Sequence, residues 1–187
     1  MAYFVEVENQ QIPEIVSLAV VKEHLKIEPE FTQEDVLIQS YIGAAISYAE
    51  GYTGRIIQNV QYEVYGVSFE DVLNFKQQTK ISVDSIQYYD ENNVLQTLSA
   101  TSYQLKKIDK FESIVDYVVD ELPIVKEQRS DAVKLVVTCG FKKLPKAIKQ
   151  AVLLLVSDFY EFRSDRPKTY STSVQNLLGP YKYYATG

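Results

Sequence analysis

The hydrophobic spacing of this chain changes twice, and the order of those changes constrains its fold more than any motif in it. As far as Gly54, apolar residues recur at three- and four-residue intervals. From Val60 to Cys139, short runs rich in Val, Ile, Tyr and Thr alternate with turn residues, and from Pro145 the helical spacing returns. Helical and extended segments that are segregated in this way imply an α+β architecture: a helical core of two N-terminal helices plus one long and one short C-terminal helix, with an antiparallel β lobe inserted between them. The length of 187 residues suits one domain, 1–187, with the inserted lobe over 60–140 and a mobile tail over 181–187.

Ser17 is placed to cap a first helix running to about Lys26, with Leu18, Val20, Val21 and Leu25 inward and Lys22, Glu23 and Lys26 outward. For the second helix, Thr32 with Asp35 three residues on approximates a capping box, and Phe31 before the cap can staple onto Val36. Leu37, Tyr41, Ala44, Ala45, Tyr48 and Tyr52 form its expected inner face, Gly43, Ala44 and Ala45 would let a neighbouring helix approach, and Gly51 and Gly54 end it. The strands are expected over 61–67, 81–89, 94–99, 102–107, 113–119 and 132–139, with Asp90-Glu91-Asn92-Asn93 as a hairpin loop. Pro145 suits the first turn of a third helix that runs to about Arg163 and is apolar nearly all round at Leu153, Leu154 and Val156. A short helix from Thr172 or Ser173 to Leu178 is stopped by Gly179-Pro180.

Charge and composition exclude several function classes. Nineteen basic and 25 acidic residues leave a net charge of −6, whose field repels phosphate and does not suit a dedicated nucleic-acid grip. One cysteine, Cys139, and one histidine, His24, assemble neither a disulfide nor a Cys/His zinc set. The acidic Glu6 and Glu8 and the lack of a long apolar run imply a soluble chain of a reducing compartment with no membrane partner.

The residues with reactive or ionisable side chains read as structural. Glu23 adjoins His24 but points to another side of the helix, so His24 has no orienting carboxylate. Cys139 lacks a CxxC context, and Gly51-Tyr52-Thr53-Gly54-Arg55 follows a helix where a phosphate loop would precede one. Asp84, Asp90, Asp116, Asp120, Asp158 and Glu161 are scattered without the paired spacing of acid/base hydrolysis. No metal and no cofactor is implied. Lys142, Lys143, Lys146 and Lys149 are different, because they crowd the start of the third helix, where positive charge opposes the dipole. They read as a solvated face or as a contact for an acidic protein surface or DNA. The 15 tyrosines suit surfaces that are wet at one time and buried at another.

In order along the chain, VKEHLKI (21–27), YIGAAISYAEGYTGR (41–55), SIQYYDENN (85–93), AVKLVVTCGF (132–141) and LPKAIKQAVLLLVSDFYEFR (144–163) resemble the head-tail connector family of tailed bacteriophages and prophages. Members are often labelled phage DNA-packaging proteins. The resemblance spans about Leu18 to Leu178 and rests on order and spacing, not on one motif. It implies a virion structural protein and not an enzyme. Such a protein is made in the host cytoplasm and docks as a homo-oligomeric ring of about a dozen copies beneath the portal. It faces a tail or stopper protein and lets double-stranded DNA pass without sequence specificity.

Carried onto this sequence, the resemblance makes Tyr48, Glu50, Tyr52 and Arg55 at the end of the second helix, and Tyr160 and Arg163 on the third, candidates for partner interfaces. The stretch from Ser171, with Tyr181, Tyr183 and Tyr184, reads as an arm that orders on assembly. The competing reading is a DNA-binding packaging accessory factor that uses Lys142, Lys143, Lys146 and Lys149.

Overall fold

In chain order the elements are β1 (Tyr3–Glu6), α1 (Leu18–Leu25), α2 (Asp35–Thr53), β2 (Val60–Gly66), α3 (Phe69–Leu73), β3 (Lys80–Tyr89) and β4 (Leu95–Thr97). They continue with β5 (Tyr103–Lys107), β6 (Ser113–Tyr117), β7 (Val133–Cys139), α4 (Lys146–Glu161) and α5 (Thr172–Leu178). The structure, a computed structural model, describes residues 3–6, 16–73, 80–108, 111, 113–119, 121–141, 143–162 and 172–183. The mixture of helices and antiparallel strands is the expected α+β class. The chain divides into two units: Pro13–Ile57 with Lys143–Gly187, and Met1–Ile12 with Gln58–Lys142.

The helical unit starts as the sequence predicts. Ser17 takes extended backbone angles and its hydroxyl accepts the amide of Val20 at 3.4 Å, opening α1. Lys26 closes the helix in the left-handed conformation, φ 57°, with its amide returned to the α1 carbonyls. Lys22 departs from its expected outward position and is buried. Its ammonium donates to the carbonyls of Pro29 (2.9 Å) and Phe31 (2.7 Å) and to Asp35 Oδ1 (3.0 Å), so all three of its donors are used. That clamp displaces the expected start of α2. Asp35 receives Lys22 instead of folding back on Thr32, Glu34 becomes the N-cap without capping the helix through its side chain, and Phe31 and Val36 stand exposed instead of stapled.

The buried face of α2 is Ile38, Ala45, Ile46, Ala49 and Thr53, turned from the expected stripe, with Leu37, Gly43 and Ala44 exposed. Tyr41 packs on Phe159 of α4 at 6.1 Å between ring centroids. Tyrosines keep a hydroxyl to hydrate, so the smaller Ala45 and Ala49 take the inner positions. Gly51 lies inside the helix, and Gly54 alone terminates it, at φ 65°. Pro145 caps α4 from just outside, and the helix ends at Glu161, one turn's fraction before the expected boundary. Ile148, Ala151, Val152, Leu155, Val156 and Phe159 are buried along it. Each of these side chains larger than alanine contributes roughly 1.5–3 kcal/mol by leaving water. Val174 and Leu178 of α5 complete this core.

The second unit is a five-stranded antiparallel sheet, in the order β1-β2-β7-β3-β4, and a separate β5-β6 hairpin. β2 and β7 alternate strictly: Val60, Tyr62 and Val64 share an inner face with Val133, Leu135, Val137 and Cys139, with Val64 opposite Leu135. In β3 the alternation breaks at Asp84, which has no partner between Val83 opposite Val137 and Ser85 opposite Val136. This bulge restores the phase, so that Ile86 meets Leu135 on the inner face. The expected hairpin forms at Asp90, whose Oδ1 accepts the amides of Asn92 (3.0 Å) and Val94 (2.9 Å) while Asn93 takes φ 63°. β1 and α3 are additions to the sequence reading. Phe69 of α3 packs against Tyr88 at 5.4 Å and edge-on to Tyr117 at 5.8 Å. Burial there pushes the Tyr117 hydroxyl up from its ordinary ionisation range.

Candidate functional site

The C-terminal end of α2 is where most of the sequence-predicted interface residues meet. Gly54 supplies the left-handed turn, and its amide donates to the Glu50 carbonyl at 2.8 Å. The Thr53 hydroxyl donates back to the Ala49 carbonyl at 2.7 Å. The Glu50 carboxylate then accepts the amide of Ile57 at 2.8 Å, which fixes the exit of the chain from the helix. This turn points Arg55 inward, 8% exposed, where its Nε donates to the Tyr181 carbonyl at 2.7 Å. Its guanidinium lies 5.6 Å from the centre of the Tyr183 ring.

The segment after α5 is therefore docked over Tyr181 to Tyr183. A 3₁₀ turn at Gly179–Tyr181 brings it round, and the Tyr183 amide donates to the Thr53 carbonyl at 2.7 Å. Lys182 sets its ammonium 5.2 Å from the Tyr52 ring, and Tyr52 stacks on Tyr48 at 6.2 Å. This differs from the expected free arm, because the inward Arg55 offers these residues a partner within the same unit. Glu50 and Arg55 serve the local scaffold, while Tyr48 and Tyr52 stay half-exposed and Lys182 is exposed.

Tyr160 lies at the other end of α2, where its hydroxyl donates to Glu34 Oε2 at 2.6 Å. Arg163, Tyr184 and Lys142 lie outside the described residues. Lys143 and Lys146 are exposed and Lys149 is half-exposed, all at the start of α4, whose N-cap Pro145 supplies no side-chain bond. The opposite end of α4 carries Asp158 and Glu161. Burial, and after it the charge of Glu161, raises the Asp158 carboxyl above its ordinary range.

The other side chains that could carry chemistry each have a separate local setting. His24 is exposed on α1, Cys139 is buried on the inner sheet face, and Asp84 accepts from Gln61 (2.8 Å) and Thr138 (2.7 Å) on the outer face. Asp90 is used by its hairpin, Asp116 faces Lys106 at 3.8 Å, and Asp120 lies outside the described residues. Among the described residues no group of three or more His, Cys, Asp or Glu side chains is placed to hold a metal ion, and no helix is long and apolar enough to cross a membrane.

Two sites had no sequence signal. One is Lys22, whose three acceptors lie beyond its own helix. The other is on the outer sheet face, where the Lys134 ammonium and the Tyr65 hydroxyl both bond the Glu63 carboxylate and Tyr3 stacks on Tyr65 at 5.1 Å. The hydrogen bond from Lys134, then that from Tyr65, holds the Glu63 carboxyl below its usual range.

The model of the phage gp6-like head-tail connector proteins matches residues 15–122, more than half of the 187-residue chain. The chain belongs to that family of phage head-tail connectors. The match includes α1, α2 with its Glu50-Gly51-Tyr52-Thr53-Gly54-Arg55 end, α3 and strands β2 to β6, and it leaves out β1, β7, α4 and α5. The family is a structural one and not an enzyme class. The fold of this connector also extends over whole chains of solved particles. A chain in the neck of an empty gene transfer agent particle, determined with C6 symmetry, aligns with a TM-score of 0.73 at 21% identity, covering 98% of this chain and 97% of that one. A chain in the virion of the native gene transfer agent particle aligns at 0.70 and 21%, covering 98% and 96%. In the native neck determined with C12 symmetry the values are 0.68 and 20%, with 97% of each chain covered. At these identities the likeness is one of fold. No curated protein sequence matches the chain.

Proposed function

We propose that this chain is a connector subunit in the neck of a tailed-phage-like particle, where copies of it close into a ring between the portal and a tail or stopper protein. The observation that carries this reading is the family match over residues 15–122, joined by fold similarity over 97–98% of the chain to neck and virion components of gene transfer agent particles. The C12 symmetry of one of those necks supports a ring of about twelve copies. Within such a ring the stretch 60–140, joined by β1 from the N-terminal end, acts as a lobe of a single connector subunit, and Tyr48, Tyr52 and Lys182 form a partner-facing patch at the end of α2. A net charge of −6 favours a lumen through which double-stranded DNA slides without being held. The role is structural and needs no cofactor and no catalysis.

Native mass spectrometry over a rising concentration series, alone and with the cognate portal, tests the reading, with negative-stain images of any large species. Closed rings of about twelve subunits are expected. A chain that stays monomeric in both settings overturns it.

A further inference from the structure

The helical unit is electrically polarised along its length. Tyr160 bonds Glu34 and Phe159 packs on Tyr41, so the end of α4 lies at the beginning of α2 and the two helices run in opposite directions. At that end stand Glu23, Glu28, Glu30 and Glu161, all exposed. At the other end of α4 stand Lys143, Lys146 and Lys149. A 16-residue helix places those lysines about 20 Å from the acidic end, too far to pair within one subunit. They also gain nothing from α4 itself, because they add to the positive end of its dipole.

The acidic end has a shape as well as a charge. A cleft of about 460 Å³ is walled by Leu18, Ala19, Ile27 and Pro29, with Glu23 and Glu28 in its lining. Lys26 also lines it, while Lys22 is already spent on Asp35, so carboxylates prevail there. Beside it Phe31 (41% exposed), Val36 (81%) and Leu37 (37%) leave apolar surface uncovered. Apolar walls rimmed by carboxylates match a lysine side chain, whose methylene stem packs on carbon while its ammonium reaches an anion.

We propose that the acidic end of one subunit, at Glu23, Glu28 and Glu30, receives the first turns of α4, at Lys143, Lys146 and Lys149, of a second copy of this chain. The contact joins two different surfaces of identical chains, the heterologous geometry that closes a ring. The proposal rests on the ring reading above and names the surfaces that make the ring.

Charge reversal tests it. A variant with Lys143→Glu, Lys146→Glu and Lys149→Glu has two acidic ends, and one with Glu23→Lys, Glu28→Lys and Glu30→Lys has two basic ends. Each alone should self-associate at least tenfold more weakly than wild type, and an equimolar mixture should recover assembly with the two chains in equal number, read by native mass spectrometry. Unchanged assembly of either variant, or no recovery on mixing of two folded variants, overturns the contact. If both variants assemble as wild type does, the ring stands and this interface falls. If wild type and mixture alike stay monomeric even with the cognate portal present, both fall. A lysine variant that assembles normally but loses salt-sensitive DNA binding assigns the lysines to DNA and overturns the proposal. Zero-length carbodiimide coupling of mixed isotope-labelled wild-type chains tests it without any variant: amide links from Lys146 or Lys149 to Glu28 or Glu30 between differently labelled copies are expected, and intermolecular links confined to other surfaces refute it.

Discussion

Arg55 and Tyr181 stand 126 positions apart, and the guanidinium Nε of the first donates to the backbone carbonyl of the second at 2.7 Å. The bond ties the last described turn of the chain to the end of α2, and the Tyr183 amide on the Thr53 carbonyl reinforces it. Arg55→Ala removes a charge-assisted bond from a buried position and should lower stability by about 1–3 kcal/mol. Arg55→Lys should recover little of it, since a single ammonium cannot both bond the Tyr181 carbonyl and reach the Tyr183 ring as the guanidinium does. Deleting Tyr181 to Gly187 should cost a similar amount, because Arg55 loses this acceptor. Urea unfolding of the isolated chain measures all three, and a deletion as stable as wild type would return the segment to the status of a detachable arm.

Lys22 makes a second prediction. Its ammonium holds the α1–α2 connection through Pro29, Phe31 and Asp35, and at 4% exposure no water replaces those partners. Lys22→Met keeps the stem and strands two carbonyls and a carboxylate, at a cost of roughly 3 kcal/mol. Adding Asp35→Leu should return part of that loss, because the uncompensated carboxylate goes with it. Denaturant midpoints of the single and double variants give the coupling directly.

The outer sheet face predicts a pH dependence with two limbs. Glu63 is held below its ordinary 4.5 by Lys134 and then Tyr65, so its contribution is present above that pH and is lost as pH falls through the lowered value. Tyr65 is pushed up to about 12, chiefly by its hydrogen bond to Glu63 and next by burial. Its contribution is whole below 10 and disappears as pH rises from 10 through about 12. Glu63→Gln should flatten the acid limb and bring the Tyr65 ionisation back toward 10. The difference in phenolate absorbance between Glu63→Gln with and without Tyr65→Phe isolates that one hydroxyl, and a Tyr65 that still ionises near 12 in the Gln variant would refute the assignment.

How far the sequence reaches depends on the range of the interaction being read. Strands β2 and β7 and helix α4 were legible because their apolar periods run for seven or more residues, and β3 because its ten residues are rich in Ile, Val and Tyr even though a bulge interrupts the period. α3, with five residues, is too short to show a period, and the four residues of β1 take their meaning from pairing with β2 some sixty positions on. The end of α2 was legible at Gly54, whose left-handed turn is a local demand, but the arrival of Tyr181 and Tyr183 there was not. Lys22 misled the reading for the same reason: a lysine on a short helix is an outward residue unless acceptors from elsewhere in the fold surround it. Phe31 and Val36 had the spacing of a hydrophobic staple, but the clamp on Asp35 set a different path into α2.

Asp158 gives the last prediction. It sits in the final turn of α4, beside Glu161 and at the negative end of the helix dipole, and burial first and Glu161 second raise its carboxyl above the ordinary 3.8. A raised carboxyl means that the folded chain holds its proton more tightly than the unfolded one. Its stabilising effect is therefore complete below 3.8 and is lost as pH rises through the folded value, leaving a charged, disfavoured Asp158 at neutrality. Asp158→Asn keeps the shape and removes the charge. At neutral pH it should raise the stability of the isolated subunit by a few tenths of a kcal/mol, toward the low end of helix-terminus effects because the group is only partly buried. Below about pH 3 the gain should vanish, since both forms are then neutral. Paired unfolding curves at the two pH values decide it, and a variant less stable than wild type at neutrality would show that the Asp158 carboxylate has a favourable partner in the folded chain.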